Sequence, residues 1–279
     1  LCNSIGKNEI HQFVSSLGRR YIPGSSIKGA LRTCFLFDRI SGGGLKSEAE
    51  DRIRKFKDLN PKELPKIKKY ADDEICRLIF GKDAYEDIFK NLAVSDSEFY
   101  DNEYIEVIRA QSYNFKKARK DTSKGKVVDQ YIEAVKEDNS IGTEITLINN
   151  EKFDFKHLIE SVNNFSQELI DKEIELCAYN ESFNKRNKEI KLLIESNNDA
   201  NSCFIKLGKG TGFWGMTFCL LLDKETFHDY IRIPFKIGES REKSGEYSDV
   251  FPLTHLVQVN SDNIPILPLG WIKLTFDKE

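Results

Sequence analysis

No stretch of the sequence approaches the ~18 consecutive apolar residues of a membrane-spanning helix. None of the six cysteines (Cys2, Cys34, Cys76, Cys177, Cys203 and Cys219) belongs to a CxxC pair. That argues against a zinc site, whose ligands usually come in close pairs. Most of them sit among apolar neighbours, as in TCFLF and TFCLLL, and read as reduced core residues of an intracellular, cytoplasmic protein. Histidine is scarce: His11, His157, His228 and His255 are far apart, and each reads as solvated or structurally bonded. There is no short-period repeat, no low-complexity tract and no visible signal peptide, although the chain begins at Leu1 and not at methionine. Positive charge is not in excess either, with 42 Lys and Arg against 45 Asp and Glu, a formal net charge of −3. This excludes a protein coated in nucleic acid on all sides. A local basic groove survives the argument, because binding follows the charge that faces the phosphates.

What is present suits a globular chain: 279 residues, 39% hydrophobic and 31% charged, enough for one large domain or two small ones. The pattern predicts a short helix over 7–18, an extended stretch over 19–24, and a helix over 25–40 with Ile27, Leu31 and Phe35 on one face and Ser25 or Ser26 as N-cap. Charged helices follow over 48–57 and 66–80. Strands are expected at 91–99, 104–114, 127–135 and 142–149, and a long helical signal covers 151–195. Beyond it come a strand at 203–208, a glycine-rich loop, an apolar strand or buried helix at 216–222, and a final strand. Uneven alternation of this kind predicts α+β with antiparallel sheets, not a doubly wound parallel sheet.

Two segments have the makings of a ligand site. In IPGSSIKGALR (22–32) a Pro-Gly turn runs straight into a helix, whose first N–H groups lack internal partners and carry partial positive charge. Gly24, the hydroxyls of Ser25 and Ser26, and the cations Lys28 and Arg32 make a candidate phosphate site; the alternative is a capped helix with two solvated cations. It is not a Walker A loop, because Lys28 precedes Gly29. In KLGKGTGFWG (206–215), Gly208, Gly210 and Gly212 alternate around Lys209 and Thr211. Such a loop can bring backbone N–H groups close to a ligand, with Lys206 and Lys209 as charges and Phe213 and Trp214 as stacking surfaces. A purely structural tight turn is the rival. The GxGxG spacing departs from the GxGxxG of a dinucleotide loop. A basic run at 116–126, beginning with Lys116 and Lys117, reads as a solvated loop or an extension of an RNA path with Arg109. Asp96, in VSDSEF, reads as a turn cap, with metal binding as the alternative.

Taken in order, IPGSSIKGALR, LIFG, LAVSDSEF, IEAV with GTEITL, LGKGTGFWGMTF and LPLGWIKL resemble the repeat-associated mysterious protein (RAMP) superfamily of CRISPR systems. They are similar in particular to the Csm-type subunit that caps the guide RNA 3′ end in type III-A effector complexes. The resemblance runs from about residue 10 to the end. It implies ferredoxin-like units of the RNA-recognition-motif type with inserted helices: residues 1–150 with a helical insertion at 45–80, a helical segment at 151–200, and a C-terminal part at 201–279 holding the glycine loop. It also implies an RNA-binding role without catalysis for Gly24, Ser25, Ser26, Lys28, Arg32, Arg109, Lys116, Lys117, Lys206, Gly208, Lys209, Gly210, Thr211, Gly212 and Phe213. No cofactor is implied. The implied partners are the 3′ region of the crRNA, neighbouring RAMP backbone subunits, small helical subunits, and beyond these target RNA and maturation nucleases. Two alternatives stay within the same superfamily: an endoribonuclease that processes precursor crRNA, for which only His11 lies near the phosphate helix, and a target-cutting backbone subunit, for which Asp96 is the residue to examine. Family members carry an N-terminal strand ahead of the segment matching residues 10–32, and Leu1 starts too late for it.

Overall fold

The computed structural model describes residues 9–42, 44–58, 73–114, 126–148, 153–240 and 243–277. Its organising element is helix α1 (Gly24–Gly42). Ile27, Leu31, Cys34, Phe35, Leu36, Phe37 and Ile40 recur at helical spacing, and all are buried. Phe35 sits at the centre of an aromatic cluster, with ring centroids 5.4 Å from Phe89, 5.1 Å from Phe153 and 6.2 Å from Phe80. Helix α2 (Lys46–Arg54) and helix α3 (Asp73–Phe80) close one side of it. The expected helix over 66–80 is thus present from Asp73, and 66–72 lie outside the described residues.

The long helical signal over 151–195 is two helices, α4 (Phe155–Leu176) and α5 (Glu181–Glu195). Each has its own side-chain cap. Asp154 accepts from the His157 N–H at 2.7 Å, and Asn180 accepts from the Phe183 N–H at 3.1 Å. A cap at Asn180 starts a fresh helix, which is why the pattern breaks there. Helix α4 packs across α1 and against α5.

The main sheet has the order β1 (Ile10–His11), β6 (Lys126–Val135), β5 (Ile105–Asn114), β9 (Thr254–Val259), β10 (Pro265–Pro268). All its pairings are antiparallel except β1 with β6, which is parallel. Among the described residues, three two-stranded sheets accompany it: β2 (Ser15–Ser16) with β3 (Arg19–Arg20), β4 (Leu92–Val94) with β7 (Ile145–Leu147), and β8 (Ser202–Lys206) with β11 (Trp271–Thr275). One core cluster draws on residues from Ile27 to Val259. A smaller one, Ile108, Ala110 and Ile132, lies on the main sheet.

Two expectations are corrected. The helix expected over 7–18 is absent from 9–18, and residues 7 and 8 lie outside the described residues: 10–11 pair with β6, and 15–20 make a hairpin. Leu17 and Gly18 at its tip both have positive φ (50° and 77°), the conformation of a tight two-residue turn. The segment 216–222 is neither strand nor long helix but carries a single 3-10 turn over Cys219–Leu221.

Candidate nucleic-acid interface

The first turn of α1 is held by the loop that follows β4. Gly24 donates its N–H to Asp96 Oδ1 at 2.8 Å, Ile22 donates to Ser97 Oγ at 2.8 Å, and Ser97 N–H donates back to the Ile22 carbonyl at 2.9 Å. A Cβ on Gly24 would run into the carbonyls of Val94 and Ser95, so only glycine allows this approach. Asp96 therefore supplies a carboxylate to the helix N-terminus, where the dipole favours negative charge. Ser25, Ser26 and Gly29 face outward together, and a Cβ on Gly29 would meet nothing within 4 Å. The result is a smooth, open strip of helix with two hydroxyls.

The two cations expected there are engaged within the protein. Lys28 Nζ donates to the Leu92 carbonyl at 2.6 Å. Arg32 pairs with Asp87, Nη1 to Oδ2 at 2.8 Å, and its guanidinium lies 3.6 Å from the Phe80 ring centroid. Both are half-buried, and both tie α1 to its neighbours.

In the second segment the glycines divide the work. Gly208 (φ 75°) and Gly212 (φ 70°) occupy the left-handed region, with open space where a side chain would stand. Gly210 instead lies against Leu269, whose carbonyl a Cβ would strike. Thr211 is buried, and its hydroxyl donates to the Gly208 carbonyl at 2.7 Å, closing the turn. Gly208, Lys209, Gly212 and Met216 form the exposed surface of the loop. Lys206 is not part of that surface. Its ammonium is buried against the Glu173 carboxylate, which also accepts from Trp271 Nε1 at 3.2 Å. Trp214 is likewise inside, donating to the Phe251 carbonyl at 3.2 Å, and Phe213 meets Phe251 edge-on with centroids 4.9 Å apart. The aromatic pair expected to stack on bases thus packs with Phe227 and Phe251.

Arg109 on β5 reaches Asp129 at 3.3 Å and the side chain of Asn263. It is held across the sheet, between β6 and the turn that joins β9 to β10. Lys116 and Lys117 lie outside the described residues. Loops 22–32 and 206–216 feed one core cluster through Ile27, Leu31 and Trp214. Among the described residues no hydrogen bond or ring contact joins them directly, and no group of three or more His, Cys, Asp or Glu is placed to hold a metal. No helix of the described residues is long and apolar enough to cross a membrane.

Two features were not read from the sequence. Arg19, exposed on the hairpin beside the α1 N-terminus, lies 4.1 Å over the Phe99 ring. The signal was the Leu-Gly dipeptide between Ser-Ser and Arg-Arg. The other is a cavity of about 240 Å³ beneath the glycine loop, lined by Glu173, Asn187, Lys206 and His255 among others. These residues are far apart in sequence, and no local pattern links them. Burial holds the Cys177 thiol in its wall at a pKa of about 12 and pushes His255 down to about 4.

The family model of the RAMP superfamily matches residues 3–214, a span that takes in helix α1 and the glycine loop as far as Trp214. The chain belongs to the RAMP superfamily. The resemblance first carried by its separate motifs therefore holds at that level. This RAMP chain is similar to the CRISPR system Cms protein Csm5 of Methanocaldococcus jannaschii, 29% identical over 304 residues, covering 96% of this chain and 66% of that protein. It is also similar to the protein of the same name from Streptococcus thermophilus, 31% identical over 151 residues, 53% of this chain and 37% of the relative. It thus spans just under two thirds of the first relative's length and matches a smaller part of the second. In fold it is similar to a chain of the Csm-crRNA-target RNA ternary complex of a type III-A CRISPR-Cas system, with TM-score 0.66, 20% identity, and coverage of 97% of this chain and 76% of that one. T.onnurineus Csm5 is a second such neighbour, with TM-score 0.58, 20% identity, and coverage of 96% and 77%. The mixed α+β architecture with antiparallel sheets is what these two solved chains share with it.

Proposed function

We propose that this chain is a Csm5-type subunit of a type III-A CRISPR effector complex, working in the cytoplasm, that binds the 3′ region of the guide RNA and caps it without cutting RNA. The observation that carries the reading is the 29% identity to the M. jannaschii Csm5 across 96% of the chain. The fold neighbour belongs to a Csm complex with crRNA and target RNA, which supports guide RNA, target RNA and other Csm subunits as partners. The reading adds neighbouring RAMP subunits, small helical subunits and the nucleases that trim the guide. In this reading the units are ferredoxin-like, with β5 and β6 at the centre. The exposed strip Ser25–Ser26–Gly29 and the exposed loop atoms of Gly208, Lys209 and Gly212 meet the sugar-phosphate backbone, which suits a guide of any sequence. Arg109, Lys116 and Lys117 extend that path. Lys28, Arg32, Lys206, Gly210, Thr211 and Phe213 act from behind the surface by holding it in shape.

The test is assembly of the complex with Ser25→Ala, Ser26→Ala and Lys209→Ala combined. All three side chains are exposed, so the variant folds normally. The expected result is reduced RNA retention and altered guide length in the purified complex. Unchanged retention and length would overturn the reading. The pure chain incubated with precursor crRNA leaves it intact; metal-independent cleavage would favour a processing endoribonuclease instead. Asp96→Ala leaves target cleavage unaffected, because that carboxylate is spent on the Gly24 N–H.

A further inference from the structure

The cavity beneath the glycine loop changes character with depth. Its mouth is formed by exposed residues, Lys209, Gly212 and Thr254. Its floor is buried and polar: Asn187 is 0% exposed, with Glu173, Lys206 and the Cys177 thiol around it. Between them stand apolar walls from Phe183, Trp214, Leu256 and Leu269. Gly210 is pressed against Leu269, so the loop is packed directly on this wall.

The floor holds an unspent polar group. Neither Oδ1 nor Nδ2 of Asn187 meets a nitrogen or oxygen partner among the described residues. The group it does meet is the Cys177 thiol, a weak hydrogen-bonding partner whose contact with the amide lowers the thiol's pKa against the burial that raises it. Leaving a buried amide unsatisfied costs about 1–3 kcal/mol, so the site is built for something that fills it. The floor is also electrically balanced, because the Lys206 ammonium is neutralised by Glu173. A phosphate finds no net positive charge there. A neutral, flat, polar-edged group does fit: apolar walls for its faces and an amide for its edge. Lys209 at the mouth is an exposed cation, suited to the phosphate attached to such a group.

We propose that this cavity takes a single unstacked nucleobase of the bound single-stranded RNA, with the Asn187 amide meeting the base edge. The proposal rests on the RNA-binding reading above and adds a base-directed contact to it. An amide presents a donor and an acceptor side by side, the arrangement that reads base edges. Rotated end for end it presents them in the opposite order, so one residue serves different bases. The pocket is therefore selective for having a base, not for which base.

The test compares two probes bound by the full chain: an oligouridylate of about ten nucleotides, within the usual span of single-strand sites, and its fully abasic counterpart. Wild type is expected to bind the base-bearing RNA about tenfold more tightly. Asn187→Leu, which keeps the shape and removes the unpartnered amide, is expected to bind both probes equally while its melting temperature holds or rises. Thr254→Leu, exposed at the mouth and remote from the floor, narrows the opening and is expected to act the same way, so the test does not depend on one variant folding. Equal binding of both probes by wild type overturns the pocket and leaves the RNA-binding reading standing. A base preference that survives both substitutions overturns it as well, as does a lowered melting temperature of Asn187→Leu with unchanged RNA affinity. Binding of neither probe overturns both readings together.

Discussion

Lys206 and Glu173 sit side by side with side chains only 5% and 9% exposed, on β8 and α4. Two charges withdrawn from water this far stabilise little as a pair, yet removing one leaves the other stranded. Lys206→Ala is expected to cost about 3–5 kcal/mol in urea denaturation, and Lys206→Met combined with Glu173→Gln to recover most of it. His255 faces the same pair from β9. Burial holds its folded pKa at about 4, below the ordinary 6.5, with Lys206 lowering it further and Glu173 opposing. The unfolded chain therefore takes up a proton that the folded chain refuses. Stability from this residue is fully present above about pH 6.5 and is lost as pH falls from 6.5 towards 4. Melting temperature measured across that window at constant ionic strength should fall in wild type and fall less in His255→Gln. Neither residue was marked by the sequence as a neighbour of the other, because 82 positions of chain, from 173 to 255, separate the carboxylate from the ring.

At the scale of elements, helix α1 was legible because its apolar residues repeat at helical spacing and a Pro-Gly turn precedes it. The hairpin at 15–20 was not. Ile10, Val14 and Leu17 have helical spacing too, but all three are exposed, so no core rewards a helix there. The positive φ of Leu17 and Gly18 decides the turn instead. The glycines of the two candidate loops looked alike in sequence and differ in role. Gly24→Ala and Gly210→Ala place a methyl group against backbone carbonyls and are expected to lower the melting temperature markedly. Gly29→Ala, in an open position inside α1, is expected to raise stability by about 0.5–1 kcal/mol. Asp96→Ala removes the acceptor of the Gly24 N–H and is expected to cost about 1 kcal/mol, the usual worth of a cap.

For the whole molecule, a net charge of −3 means that any RNA-binding surface is a local feature of an otherwise acidic body. The proposed backbone contacts predict a strongly salt-dependent affinity, with log K falling by about 0.7 per log unit of salt for each phosphate neutralised on a single strand. Titration of guide RNA at several salt concentrations measures that slope; Lys209→Ala should reduce it by about one contact, and Lys206→Ala should leave it unchanged. A slope near zero in wild type would rule out a phosphate-reading surface. By itself the sequence determined the superfamily, the mixed α+β class, helix α1 and the glycine loop, because each rests on short-range spacing that survives in one dimension. Only the tertiary structure decided which cations are free. Whether each of Lys28, Arg32, Lys206 and Arg109 meets solvent or a partner depends on Leu92, Asp87, Glu173 and Asp129, which folding alone brings beside them.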